Sequence, residues 1–182
     1  MKSRTITKLK KYFSFRFIHE IIKYRELLYI LVKRDINVRY RNTVLGIGWA
    51  LIQPLLNSLI FVAVFYYFAK IPVAGSSPFA FYMSSLIPWF FFSTSLNRAS
   101  LSLINHQFMI TKVYFPKMIL PLASCITTLY DSIFQLVSFI LIAIILKIEI
   151  TWKIVFIIPL FIYLFLLSFA CSLWISMLSI LY

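Results

Sequence analysis

The chain has 182 residues, of which 62% are hydrophobic, 19% aromatic and 13% charged, and its formal net charge is +13. Soluble domains are about half apolar and about a quarter charged. A soluble core of this length could not bury so much apolar surface, so the composition excludes an ordinary soluble domain and predicts a protein whose solvent is lipid.

Most of the positive charge lies at the N-terminal end. Residues 1–41 hold 12 of the 18 Lys and Arg residues and 3 of the 5 acidic residues. A basic segment can bind nucleic acid, but here the basic residues flank apolar runs, and the sequence has no zinc-finger spacing or RNA-binding aromatic motif. The pattern therefore argues against nucleic acid as a partner and is typical of charge beside a membrane span.

Four apolar runs are long enough to cross a bilayer, which takes about 20 helical residues. They cover approximately residues 44–69, 78–96, 118–146 and 154–181. The N-terminal segment and the second connection hold 15 Lys and Arg residues, and the other two connections hold 3. This asymmetry predicts a cytoplasmic N-terminus. The expected fold is an all-α, polytopic membrane helix bundle over 44–182, preceded by a basic cytoplasmic segment over 1–43.

The segment 18–41 has the pattern of a helix with two faces. Basic and acidic residues largely occupy one side, and the apolar residues recur at steps of three and four: Ile18, Ile21, Ile22, Leu28, Leu31, Val32 and Ile36. Such a helix can lie in the membrane interface with its apolar face toward the acyl chains, and its basic content favours that interpretation. The alternative is a helix that packs against its own protein.

The sequence offers no catalytic constellation. Its five acidic residues and two histidines are spread too thinly for a metal cluster or an acid–base pair. The three glycines, Gly46, Gly48 and Gly75, cannot supply the spacing of a phosphate-binding P-loop. We therefore expect a protein that is not an enzyme, binds no metal or other cofactor, and takes any energy for active work from a partner.

Polar residues inside the apolar runs form two helical faces. The third run carries Ser124, Thr128, Asp131, Gln135 and Ser138, and the first run carries Gly46, Trp49, Gln53 and Asn57. An ionisable group within a span is costly and normally faces a bundle interior or an aqueous path. Asp131 could relay protons, but no other acidic residue lies in a predicted span, so hydrogen bonding between helices is the favoured interpretation.

Two further stretches leave alternatives open. The aromatics of PWFFFSTSLNR, residues 88–98, suit an interfacial belt or packing, and they could also line a path for sugars. The connection over 97–117 is long and rich in hydrogen-bonding groups, with prolines at 116 and 121. It is either a passive linker or a docking element for a soluble partner.

Three stretches, in this order, resemble the permease subunit of the ABC-2 type polysaccharide exporters, which move lipid-linked O-antigen, capsule or teichoic acid polymers. They are RDINVRYRNTVLGIGWALIQPLL at 34–56, IPWFFFSTSLNRASLSL at 87–103 and KVYFPKMILPLA at 112–123. The resemblance implies a half-transporter of six helices that forms a homodimer and pairs with two ATPase subunits, which would bind ATP and Mg²⁺. Since four spans are present, we expect the chain to be truncated at its C-terminus.

The resemblance also implies functions for particular residues. The connection 97–117 would be the coupling helix seated on the ATPase, through Asn105, His106, Lys112, Val113, Tyr114, Phe115 and Pro116. The segment before the first span would be the interface helix, with site residues Arg34, Asp35, Arg39, Tyr40 and Arg41. The three arginines and Asp35 would hold it at the lipid headgroups and against the ATPase. Trp89 and Phe90 would line the polymer path. The polar faces add Gln53, Asn57 and Asp131 as path candidates.

These expectations define a leading hypothesis: a permease that exports lipid-linked surface polysaccharide across the bacterial inner membrane, driven by a partner ATPase. One alternative is an ABC-2 permease for a drug or a small lipid. Another is a membrane scaffold that transports nothing and recruits a cytoplasmic enzyme through its basic helix.

Overall fold

The computed structural model of the chain describes residues 19–41, 48–73, 77–106, 115–148 and 152–181. No strand occurs within these ranges. The elements are α1 (Arg25–Arg41), α2 (Gly48–Phe61) continuing as a π-helix (Val62–Phe68), α3 (Pro78–Asn105), α4 (Ile119–Ile145), a 3₁₀ helix (Trp152–Phe156) and α5 (Ile157–Leu181). Residues 19–23 are also helical and lead into α1. The predicted all-α architecture is confirmed.

Four of these helical segments are long and apolar enough to cross a membrane: Gly48–Phe68, Pro78–Asn105, Ile119–Ile145 and Ile154–Ser176. The chain is therefore a multi-pass membrane protein with a helical bundle, as the apolar runs predict. Helix α3 is longer than the predicted second span, since it continues past residue 96 to Asn105. No proline or glycine interrupts residues 97–105, and the charge at Arg98 is compensated by an acidic residue of α4.

Two helices are each followed, within two residues, by a lysine whose backbone is in the left-handed conformation. Lys70 follows the π-helix with a φ of 52°, and Lys147 follows α4 with a φ of 51°. A residue in this conformation lets the next backbone N–H groups bond back to the last carbonyls of the helix. The N–H of Ile148 accordingly donates to the carbonyl of Ala143 at 2.9 Å. These lysines end the helices at positions where glycine is the usual residue.

Helix α3 makes the two most extensive helix contacts in the described structure, with α4 and with α5. Small residues permit the close approach of α5, since Ser168 and Ser172 are fully buried along one of its faces. The rings of Phe91 on α3 and Phe161 on α5 add a tilted aromatic pair, with centroids 5.7 Å apart. Thus α3 forms the centre of the bundle.

Helix α1 packs against its own protein. Leu31 is 3% exposed and belongs to a core cluster with Leu103 of α3 and with Ile119, Leu120 and Ala123 of α4. Farther along the chain, α1 reaches Asp131, so it runs beside the first half of α4. Its opposite side, with Tyr29 and Ile30, remains exposed. The apolar face predicted to meet lipid is thus covered by the bundle in its central part, which is the arrangement of the alternative interpretation.

Candidate functional site: a charge cluster between two cavities

Asp131 lies at the centre of a cluster that joins three helices. Its Oδ1 accepts a hydrogen bond from the Tyr40 hydroxyl at 2.6 Å. Its Oδ2 accepts one from Arg98 at 2.8 Å and another from the guanidinium of Arg39. Arg98 also donates to the Thr128 hydroxyl at 3.4 Å. We call Arg39, Tyr40, Arg98 and Asp131 the charge cluster, and it connects α1, α3 and α4 at one carboxylate.

The helices bring these groups together well inside the spanning segment of α4. Asp131 follows the first residue of α4 by 131 − 119 = 12 positions, which at 1.5 Å per residue is about 18 Å along the helix. An ionised carboxylate so far into a span needs a partner of opposite charge. Arg98 supplies one from the C-terminal part of α3, and Arg39 supplies the other from α1. In this geometry Asp131 accepts hydrogen bonds from two other helices, as the favoured interpretation of the sequence predicts.

The charges in the cluster are partly shielded from solvent. The side chain of Asp131 is 13% exposed, whereas those of Arg39 and Arg98 are 28% and 31% exposed. Burial lowers the pKa of the Arg39 guanidinium, and Tyr40 and Asp35 partly oppose this effect. Burial raises the pKa of the Tyr40 hydroxyl, against the opposing effect of Arg39. Tyr40 is therefore protonated at neutral pH and acts as a donor to Asp131.

A cavity of about 440 Å³ opens between α2, α3 and α4 next to the charge cluster. We call it the span cavity. Outside the charge cluster, its lining combines amide and hydroxyl groups with two aromatic rings. These lining residues are Trp49, Ala50, Gln53, Pro54, Asn57, Phe90, Thr94, Thr128 and Gln135. The Oε1 atom of Gln135 is buried and finds no hydrogen-bond partner among the described residues. The span cavity can thus offer hydrogen bonds beside flat apolar surface.

A second cavity, of about 640 Å³, lies where α1 meets the C-terminal end of α3 and the first half of α4. We call it the helix-end cavity. Its charged and polar lining includes Arg34, Asp35, Arg39, Arg98, Ser102, Asn105 and His106. The guanidinium of Arg34 contacts the His106 ring and also bonds to Asp35 at 2.7 Å. Because Arg39 and Arg98 line both cavities, the charge cluster forms the boundary between them.

The path candidates separate into two groups. Gln53, Asn57, Phe90 and Asp131 all line the span cavity. Trp89 lines neither cavity, and it is 61% exposed. The sequence of α3 is apolar on several sides, so the aromatic run alone does not say which ring faces the cavity. Position 90 faces it and position 89 does not.

The coupling and interface candidates also divide. Asn105 and His106 end α3 and line the helix-end cavity, whereas Phe115 is buried in the core cluster beside Leu31. Pro116 follows and is half-buried. Lys112, Val113 and Tyr114 lie outside the described residues. In α1, Arg34, Asp35, Arg39 and Tyr40 face the bundle and its cavities, and Arg41 is exposed.

Arg98 is the functional candidate that sequence reasoning missed. The apolar run predicts a span that ends at residue 96, which places Arg98 in a cytoplasmic connection. A signal was present, because Asp131 was the one acidic residue in a predicted span and required a cation from a neighbouring helix. Arg98 is the basic residue nearest to the predicted end of the second span.

The helical bundle, its four membrane-spanning segments and the buried charge cluster together define a polytopic membrane protein with a polar interior. No protein-family model matches the chain. Among curated proteins, it is 33% identical over 122 residues to the O-antigen export system permease protein RfbA of Myxococcus xanthus, covering 66% of this chain and 46% of that protein.

Two further curated proteins with the same name, both from Klebsiella pneumoniae, are 28% identical to the chain over 99 residues, covering 54% of this chain and 38% of each relative. The chain therefore spans less than half the length of the relatives it matches. These matches agree with the resemblance to polysaccharide export permeases: the chain is similar to curated O-antigen export permeases over part of its length.

Proposed function

We propose that this chain forms part of the permease of an ATP-driven exporter of lipid-linked surface polysaccharide in the bacterial inner membrane. The observation that carries the proposal is the span cavity, in a chain related to O-antigen export permeases. Gln53, Asn57 and Gln135 offer amide groups for sugar hydroxyls, and Trp49 and Phe90 offer rings on which pyranose faces can stack.

The contacts at the end of α3 support a route from a partner ATPase to this cavity. The connection that starts after Asn105 leads directly into α4, and its last part holds Phe115 in the core cluster with Leu31 of α1. Arg34 of α1 also contacts His106, the first residue of that connection. A push on the connection would thus displace α1, α3 and α4 together, and these are the helices joined at Asp131.

In this proposal the partner ATPase binds ATP and Mg²⁺, and the N-terminus and the connection between α3 and α4 face the cytoplasm. Helix α5 keeps an exposed apolar side, with Tyr163 63% and Trp174 77% exposed. Lipid or a second copy of the permease would cover that side. The exposed side of α1, with Tyr29, Ile30 and Lys33, would lie toward the headgroups.

Gene deletion tests the substrate class. We expect surface polysaccharide to disappear on deletion, polymer to accumulate inside the cell, and both effects to be reversed by the intact gene. Loss of resistance to a small toxic compound with normal surface polysaccharide would instead favour the drug or small-lipid permease. If neither phenotype appeared while a cytoplasmic enzyme left the membrane, the chain would be a scaffold.

Site-specific crosslinking tests the contact with the ATPase. Asn105 is exposed at the end of α3, so a photoreactive residue there should crosslink to the ATPase. Ile145 is 71% exposed at the C-terminal end of α4, the end far from the connection that precedes this helix, and is the matched control position. Equal crosslinking at the two positions, or none at Asn105 in an assembled complex, would contradict the proposed docking.

A further inference from the structure

We infer that the charge cluster is an anion-exchange site, in which a phosphate-type oxyanion binds Arg39 and Arg98 in place of Asp131. The inference concerns ligand binding by these residues and does not depend on polymer export. Two guanidinium groups share the single carboxylate of Asp131, which leaves one positive charge without a compensating partner in the cluster.

The surrounding charges do not remove this excess. Among the lining residues of the two cavities, the other charged side chains are Arg34 and Asp35, which bond to each other at 2.7 Å. Asp35 also acts electrostatically on Arg39 and Arg98, but the three arginines still outnumber the two aspartates by one positive charge. A positive charge in a poorly solvated site is costly unless an anion accompanies it. The boundary between the cavities therefore favours an additional anion.

Both arginines are accessible to such an anion. Their side chains border the span cavity on one side and the helix-end cavity on the other. They are about twice as exposed as the carboxylate they bind, at 28% and 31% against 13%. Guanidinium groups bind phosphate oxygens through paired hydrogen bonds, so an oxyanion can take the donors that now point at Asp131.

Exchange has a structural consequence. Asp131 is the group that holds α1 and α3 to α4 at this level, through Tyr40, Arg39 and Arg98. An oxyanion that takes the two arginines leaves the carboxylate with the Tyr40 hydroxyl alone within the charge cluster. The boundary between the span cavity and the helix-end cavity would then loosen. Anion binding at the cluster would thus connect the two cavities.

The oxyanion could come from an anionic lipid headgroup or from soluble phosphate. To test for the site, the full chain is placed in nanodiscs of neutral phosphatidylcholine and binding of inorganic phosphate is measured by equilibrium dialysis. We expect Arg98→Gln to weaken binding by about tenfold or more. Asp131→Asn should strengthen it by about tenfold, because the internal competitor for both guanidinium groups loses its charge. Arg25→Gln, at an exposed position of α1 outside both cavities, should leave binding unchanged.

The strengthening by Asp131→Asn distinguishes exchange from a purely structural ion pair. Unchanged or weaker binding in that variant, or equal losses in Arg98→Gln and Arg25→Gln, would overturn the inference. Thermal unfolding in nanodiscs checks that each variant is folded. Where Arg98→Gln does not fold, Arg98→Lys keeps the charge but not the paired donors and should still weaken binding.

A second series replaces part of the phosphatidylcholine with phosphatidylglycerol. If the lipid headgroup is the natural ligand, the anionic lipid should compete and weaken phosphate binding in the wild-type chain but not in Arg98→Gln. If soluble phosphate is the ligand, the affinity should be the same in both lipids once salt screens the negative surface potential of phosphatidylglycerol. Absence of any phosphate binding that depends on Arg98, in both lipids, would contradict the site.

Discussion

Arg98 of α3 donates a hydrogen bond to Asp131 of α4 at 2.8 Å, and the carboxylate that accepts it is also bound by Arg39 and Tyr40 of α1. One acidic side chain therefore determines how three helices meet. The pairing also explains why an aspartate is tolerated about 18 Å along a membrane helix. The same contact forms the boundary between the span cavity and the helix-end cavity.

Replacing Asp131 with alanine should lower the free energy of unfolding by about 2–3 kcal/mol, because two partly buried guanidinium groups lose their counterion. The estimate lies below the value for fully buried pairs, since each arginine is roughly 30% exposed. Unfolding by a denaturing detergent in mixed micelles would measure it. The control Asn97→Ala changes an exposed neighbour of Arg98 and should have little effect.

The double variant Asp131→Leu with Arg98→Met should be less destabilised than the sum of the two single variants, since it removes both members of one pair. An additive result would show that Arg98 and Asp131 do not interact. That outcome would contradict the arrangement of the charge cluster.

Tyr40→Phe should cost about 1–2 kcal/mol in unfolding free energy, because it removes a 2.6 Å hydrogen bond to a carboxylate. The ring contact with Phe134, with centroids 6.3 Å apart, would be kept. Burial raises the pKa of Tyr40, so the hydroxyl stays protonated and the difference between wild type and variant should be constant from about pH 6 to 9. Tyr29→Phe, at an exposed position of the same helix, is the control.

Leu31→Ala should lower the free energy of unfolding by about 2–3 kcal/mol through loss of buried contacts with α3 and α4. It should also increase proteolytic cleavage within α1, because this residue fixes the helix to the bundle. The neighbouring Ile30 is 61% exposed, and Ile30→Ala should change neither quantity appreciably. Similar effects at positions 30 and 31 would show that α1 does not pack by this face.

Lys147→Gly should stabilise the protein by about 0.5–1 kcal/mol, since glycine adopts a φ near 51° without the steric cost of a side chain. The matched variant Lys147→Ala removes the same charge but keeps the Cβ atom, so it should not stabilise. Detergent-induced unfolding of both variants compares them directly. Equal stabilities for Lys147→Gly and Lys147→Ala would indicate that backbone conformation is not the cause.

The span count and the polar faces could be predicted from the sequence because lipid imposes simple requirements on it. Apolar runs of sufficient length report spans, and steps of three and four place Thr128, Asp131 and Gln135 on one side of a helix. Helix–helix contacts depend on rotation and register, which these patterns do not specify. The exposure of Trp89 beside the inward-facing Phe90 illustrates the limit.

The extent of α3 and the packing of α1 required tertiary information. A count of apolar residues stops at the polar stretch around Arg98, whereas the folded helix continues because Asp131 compensates that charge. The apolar face of α1 could contact either lipid or protein, and the sequence pattern is the same in both cases. The contact of Leu31 with α3 and α4 decides this for the central part of the helix.

The most direct test of the proposed export function is to block the span cavity. Asn57→Trp places a large ring in a cavity of about 440 Å³, whereas Leu59→Trp changes an exposed position of the same helix. Surface polysaccharide would be quantified in deletion cells that express either variant at equal abundance in the membrane. We expect export to be lost with Asn57→Trp and retained with Leu59→Trp. Normal export with Asn57→Trp would contradict the assignment of this cavity as the polymer path.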